Sequence, residues 1–278
     1  MNWLHAIILG VIEGVTEFLP VSSTGHLTIA EKLLGYGIDE QGMTAFTAVI
    51  QLGAILAAVY YFRTDIARLA VAWWRGIVDK AARTTPDYRM GWNVIIGSIP
   101  IAIVGLAFKK VIEGPLRDLW VVVAGLVVWS VVMWVADRIG KGTRGEESVS
   151  SRDALVIGLA QCLALVPGVS RSGATISAGL FSGLDRVTAT RLSFLFGIPA
   201  LLAAGALEAV TQAGNISTTV GWGPVLIGTV VSAVAGYVSI AWLLRFVAHN
   251  KFTGFIVYRL LVAVVIVGLL LTNTIAPI

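Results

Sequence analysis

Two stretches decide how this chain is read: GVIEGVTEFLPVSSTG, from Gly10 to Gly25, and GLAQCLALVPGVSRSG, from Gly158 to Gly173. Each is an apolar run broken near its middle by Pro, Gly and Ser. They align without a gap at a shift of 148 residues, so that Gly10, Glu13, Ser22 and Gly25 fall on Gly158, Gln161, Ser170 and Gly173, and Ser23 falls on Arg171. Irregular backbone at membrane depth leaves amide and carbonyl groups unpaired, which is tolerable only inside protein or beside a wet cavity. Both stretches, within residues 3 to 34 and 154 to 181, therefore read as re-entrant helical hairpins that mark a site.

Working outward, the rest of the chain supplies the membrane context. Of 278 residues, 57% are hydrophobic and 13% charged, a composition that excludes a soluble globule with a polar shell. Stretches long and apolar enough to span a bilayer run from about Thr44 to Phe62, Trp92 to Phe108, Leu119 to Ala136, Leu192 to Val210, Pro224 to Leu244 and Gly254 to Thr272. NVIIGSIP, beginning at Asn93, faces PVLIGTVV, beginning at Pro224, in a weaker continuation of the repeat. The expected fold is all-α and integral to the membrane, with an inverted-topology repeat of six full transmembrane helices plus two re-entrant hairpins. Three spans per half reverse its orientation, and in such plans the site lies at the repeat interface. One membrane domain fills residues 1–278: repeat 1 to about residue 139, a solvated cytoplasmic linker at about 140–152, and repeat 2 from about 153.

Charge orients the plan. The connections 63–91, 137–153, 185–191 and 245–253 hold fourteen Lys or Arg, against four in the opposite connections, Lys32, Lys109, Lys110 and Arg117. By the positive-inside rule the first set is cytoplasmic. The first hairpin then enters from the outer face and the second from the cytoplasmic face, to meet near the bilayer middle. The opening MNWLHAIILGVIEG lacks the features of a cleaved secretory leader and is expected to remain in the mature protein. Trp73, Trp74, Trp92, Trp120 and Trp222 lie near span ends, as an aromatic belt does. The single cysteine, Cys162, excludes an internal disulfide and a cysteine metal cluster. No basic run interleaves with aromatics, so nucleic-acid binding has no support.

Glu13 and Glu17, four residues apart, share one helix face in apolar surroundings. Two such carboxylates need a cation or hydrogen-bond donors, and read as a divalent-cation site or an acid/base pair unless they merely cap the hairpin at the interface. Ser22, Ser23, Thr24 and His26 follow at the break, where hydroxyls also serve to satisfy backbone. Arg171 presents a fork of donors suited to phosphate or carboxylate, and the amides opening the next helix suit the same anion; alternatively it neutralises Glu13 or Glu17. Together the hairpins offer a base, hydroxyls, an anion clamp and a cation site, the equipment of phosphoryl transfer. Gln51 and Arg259 are polar groups inside spans, with structural and substrate roles equally open.

At these residues the chain resembles a known family, the undecaprenyl-diphosphatases of the bacitracin-resistance type. EGVTEFLPVSSTGH and PGVSRSGAT are similar to its two signature segments, and TAFTAVIQLGAIL (Thr44 to Leu56) and FTGFIVYRLL (Phe252 to Leu261) to its flanking spans. The resemblance covers nearly the whole chain. It implies removal of the terminal phosphate of undecaprenyl diphosphate, which recycles the lipid carrier for peptidoglycan synthesis and confers bacitracin resistance; the charge count adds that the site opens to the outer side of the bacterial inner membrane. It implies Ser23 as nucleophile, His26 as its acid/base partner, Glu13 and Glu17 as the acidic motif, and Mg2+ or Ca2+ as the ion. Ser22 would support the turn, and Ser170, Arg171, Ser172 and Thr175 would bind phosphate; independently of the resemblance, Ser22, Thr24, Gln51 and Arg259 are expected from their positions to be further substrate contacts. Proton loss from Ser23 to His26 or through Glu17, and direct attack by water instead of serine, stay open. The competing function is an inverted-repeat lipid or anion transporter. A homodimer is left open.

Overall fold

The computed structural model describes residues 1–37, 41–108, 111, 116 and 118–277; Lys109, Lys110 and Arg117 of the charge comparison lie outside the described residues. Eleven helices of eight residues or more follow among those described: α1 Trp3–Thr16, α2 Ser23–Leu33, α3 Gln41–Tyr61, α4 Arg63–Val78, α5 Pro86–Ala107, α6 Leu119–Ile139, α7 Ser151–Leu163, α8 Arg171–Phe181, α9 Arg186–Thr211, α10 Trp222–Val247 and α11 Thr253–Leu271. Six of them, α3, α5, α6, α9, α10 and α11, are long and apolar enough to cross a membrane, as the hydropathy leads one to expect.

Two starts move outward from the expected spans because capping chemistry overrides hydropathy. Asp185 accepts from the Thr188 amide at 2.8 Å, starting α9 at Arg186 rather than near Leu192. Thr85 caps α5, whose first residue, Pro86, suits a position where no amide hydrogen is needed. The larger difference is α4, within what reads as a charged connection. Ile66, Leu69, Ala70 and Trp73 are spaced as one helix face. Trp73 meets Trp92 of α5 edge-on with ring centroids 5.6 Å apart.

Helix pairs close on small residues. Gly10 and Gly14 of α1 lie against Gly228, Ser232 and Gly236 of α10, two small-residue stripes at four-residue spacing. A Cβ at Gly10 would come within 2.6 Å of the Gly228 carbonyl. The other short helix repeats this with α5, where a Cβ at Gly158 of α7 would come within 2.6 Å of the Gly97 carbonyl. These small faces let backbones approach where lipid offers no hydrophobic drive for helices to associate. Phe18, just past α1, packs edge-on against Phe194 of α9 at 5.2 Å between centroids, anchoring the first break in the core.

Residues at the two ends of the chain share one end of the bundle: the Met1 ammonium donates to Val220 O at 3.2 Å and the Leu119 amide to Pro277 O at 2.9 Å. The segment 140–150 lies at the opposite end and is docked rather than loose. Arg144 donates to Asp153 at 2.6 Å and to Ser182 O at 2.8 Å, and Arg191 donates to Glu146 at 3.0 Å. The linker is exposed along most of its length and is also pinned, because its charged residues find partners on α7, just after α8 and on α9.

Candidate active site

The breaks between α1 and α2 and between α7 and α8 end in the same way. Ser22 and Ser170 both take positive φ, 76° and 74°. Each then caps the following helix, its hydroxyl accepting from Gly25 N at 3.4 Å or Gly173 N at 3.3 Å. A non-glycine residue in this region costs about 1–3 kcal/mol and persists only where its surroundings hold it. The strained caps aim α2 and α8 so that their first residues, Ser23 and Arg171, converge on Glu17.

Glu17 is the hub. Its Oε1 accepts from Arg171 Nη2 at 3.2 Å, and its Oε2 accepts from Ser23 Oγ at 2.9 Å and from Gln51 Nε2 at 3.3 Å. The carboxylate and the guanidinium are 4% and 9% exposed, so the pair is shielded from water. Arg171 Nη1 donates to Ser193 O at 2.7 Å, and its Nε is buried with no hydrogen-bond partner among the described residues. One turn before Glu17, the buried Glu13 also leaves Oε1 without a partner among the described residues.

A cavity of about 220 Å³ opens beside this cluster. Of the expected site residues, Glu13, Ser23, Thr24 and Gln51 line it. Thr28, Glu31, Thr44 and Thr47 line it too and were missed by the sequence reading. Their signal was present: 24, 27, 28, 31 and 44, 47, 48, 51 each follow the i, i+3, i+4, i+7 spacing of one helix face. Leu27, Val122 and Pro167 complete the wall.

Other expected residues are near but committed elsewhere. His26 does not meet Ser23: its Nδ1 donates to Ser22 O at 2.8 Å, and its Nε2 is 2.8 Å from the Tyr258 hydroxyl, whose ring stacks on it. Ser172 donates to Leu19 O at 3.0 Å, tying the second break to the first. Thr175 donates to Arg171 O at 2.8 Å and lies 2.7 Å from Ser193 Oγ, while Ser170 lies 3.1 Å from Ser172 Oγ. Arg259 donates to the carbonyls of Pro20, Gly125, Leu126 and Gly168 and to Ser130 Oγ. The breaks leave polar backbone unpaired in an apolar interior, and these side chains satisfy it or hold it in place. Ser22, Ser170, Ser172, Thr175 and Arg259 do not line the cavity, and neither do Glu17, His26 and Arg171, which lie behind its wall, whereas Thr24 and Gln51 do.

Fold and site together define a polytopic helical membrane protein in which two broken helix pairs close a serine, a carboxylate and an arginine beside a polar cavity. The family described as bacitracin resistance protein BacA matches residues 6–265, and the chain belongs to that family. It is 58% identical over 282 residues to the undecaprenyl-diphosphatase of Cutibacterium acnes, covering 99% of each chain. It is 56% identical to undecaprenyl-diphosphatase 3 of Frankia casuarinae, again over 99% of each, and 55% identical to the undecaprenyl-diphosphatase of Acidothermus cellulolyticus over 98% of each.

Proposed function

We propose that the protein hydrolyses undecaprenyl diphosphate to undecaprenyl phosphate and inorganic phosphate in the bacterial inner membrane, recycling the carrier and conferring bacitracin resistance. The observation that carries this is the Ser23 hydroxyl held on Glu17, whose other oxygen is held by Arg171. The names of full-length relatives supply the substrate.

In this reading the terminal phosphate enters the cavity and competes with Glu17 for Arg171. As the guanidinium turns to the phosphate, Glu17 is left to accept the Ser23 proton. Ser23 Oγ then bonds to the terminal phosphorus while the bond from that phosphorus to the bridging oxygen breaks, releasing undecaprenyl phosphate. Water then attacks the phosphoserine phosphorus, one of its protons passing to a phosphate oxygen, while the bond from phosphorus to Ser23 Oγ breaks and Glu17 returns its proton to Oγ, releasing inorganic phosphate and restoring the serine. Thr24 and Gln51 orient phosphate oxygens, and His26 steadies the first break through Ser22 O.

Of the two carboxylates expected to hold Mg2+ or Ca2+, Glu13 would hold the ion, while Glu17, whose oxygens accept from Arg171, Ser23 and Gln51, would serve as the base. The fit rests on the partnerless Glu13 Oε1 beside an oxygen-lined cavity. Such an ion supplies neutralisation of charge on the phosphate oxygens.

The equivalent break caps, together with the equivalent approaches of Gly10 to Gly228 and Gly158 to Gly97, support an inverted repeat with re-entrant hairpins in one membrane domain. The excess of basic residues at the end opposite residues 1 and 277 supports a cavity open to the outer side. The test is phosphate release by purified protein with magnesium and with chelator, alongside Glu17→Gln, Ser23→Ala and Arg171→Ala. Metal-dependent release abolished by these changes is expected. No release by well-folded wild type with retained lipid binding turns the reading to a transporter.

A further inference from the structure

Arg259 is wholly buried on α11 and, among the described residues, has no carboxylate partner. A charge in such surroundings costs several kcal/mol unless dipoles compensate it. Here they do. Nη1 donates to Pro20 O at 3.2 Å in the first break, and Nη2 to Gly168 O at 2.8 Å in the second. Nη2 also lies 3.2 Å from Gly125 O and from Leu126 O, and Nε donates to Ser130 Oγ at 3.1 Å, all on α6.

The two break carbonyls are equivalent. Pro20 and Gly168 are 148 residues apart, the same shift that aligns the hairpins, and each lies three residues before a reacting side chain, Ser23 or Arg171. One guanidinium thus ties the same register position of both breaks to each other and to α6. We propose that Arg259 is a positioning residue that sets the register between the two breaks, and through it the Arg171, Glu17 and Ser23 geometry, rather than a group that binds substrate. A planar fork of five donors can span these carbonyls, whereas the point charge of lysine cannot.

The experiment compares Arg259→Lys, which keeps the charge, with Gly125→Ala, which changes no charge. A Cβ at Gly125 would come within 2.5 Å of Pro167 O and 2.9 Å of Gly168 C, pushing the second break off α6. The kinetic arm rests on the phosphatase reading; hydrogen exchange of segments 17–22 and 164–170 does not. In both variants kcat should fall about 100-fold, the cost of a misplacement near 1 Å, with KM changed by less than about threefold. Exchange should quicken in both segments together. Wild-type kcat in Arg259→Lys, a raised KM with kcat preserved, or unchanged exchange overturns the proposal. If Arg259→Lys is not recovered as monodisperse protein, Gly125→Ala decides by the same criteria. If the wild type releases no phosphate, exchange alone decides, and the failure belongs to the phosphatase reading.

Discussion

Ser23 reaches Glu17 and not His26, and this separates the two residues in their expected effects. Ser23→Ala removes the hydroxyl held on the hub carboxylate, and turnover should fall by on the order of 10³-fold or more, as loss of a nucleophile does. Labelled lipid diphosphate quenched with acid should leave phosphate on wild-type protein and none on the variant; near-normal turnover would leave attack by water. His26→Ala should lose much less, about tenfold, because its imidazole serves Ser22 O and Tyr258. A loss equal to that of Ser23→Ala would return the base to His26, within the 10²–10⁴-fold range of general-base catalysis. Glu13, Glu17 and Arg171 were legible because each is an oddity in an apolar run, whereas Ser23, one of three adjacent hydroxyls, was set apart only by the family resemblance. The cavity residues Thr28, Glu31, Thr44 and Thr47 were not, since their shared face emerges only when positions are taken at helical spacing.

The short helices α1 and α7 depend on small faces rather than on length. Gly10→Ala and Gly158→Ala each drive a methyl group into a carbonyl of the facing helix, and each should destabilise the protein by about 1–3 kcal/mol, seen as a lower thermal midpoint in detergent. A shift in one and not the other would argue against equivalent halves. The docked segment 140–150 carries a pH dependence. Burial pushes the Asp153 carboxyl up, but hydrogen bonds from Arg144 and from the Ser150 amide and hydroxyl outweigh it and hold the group below its ordinary 3.8. A lowered pKa means that the ionised form is favoured by the fold. Its stabilisation is present above the ordinary value and lost as pH falls through the lowered one. Limited proteolysis should therefore cut within 140–150 only below about pH 4, the ordinary aspartate range; cleavage already at pH 6 would show that Asp153 does not hold the segment. The docking was hidden from sequence because two of its partners, Ser182 and Arg191, lie about 40 residues further along the chain, and α4 was hidden because its charges outweighed its apolar stripe.

For the whole molecule, the charge asymmetry makes a prediction that labelling can read. In a Cys162→Ser background, a cysteine at the exposed Ser217 should react with an impermeant reagent in intact cells, while one at the exposed Arg152 should react only after lysis. The reverse pattern would invert the site's opening. By itself the sequence determined a helical membrane protein, its six long spans and the two breaks with their out-of-place polar residues, because span length, apolarity and misplaced polar residues are local properties of a chain in lipid. Only the tertiary structure decided which polar residues face the cavity and which are consumed by backbone. Arg259 and Arg171 are both arginines in apolar runs. One is exhausted by carbonyls from three segments and the other holds Glu17, a difference set by where distant breaks leave their unpaired carbonyls.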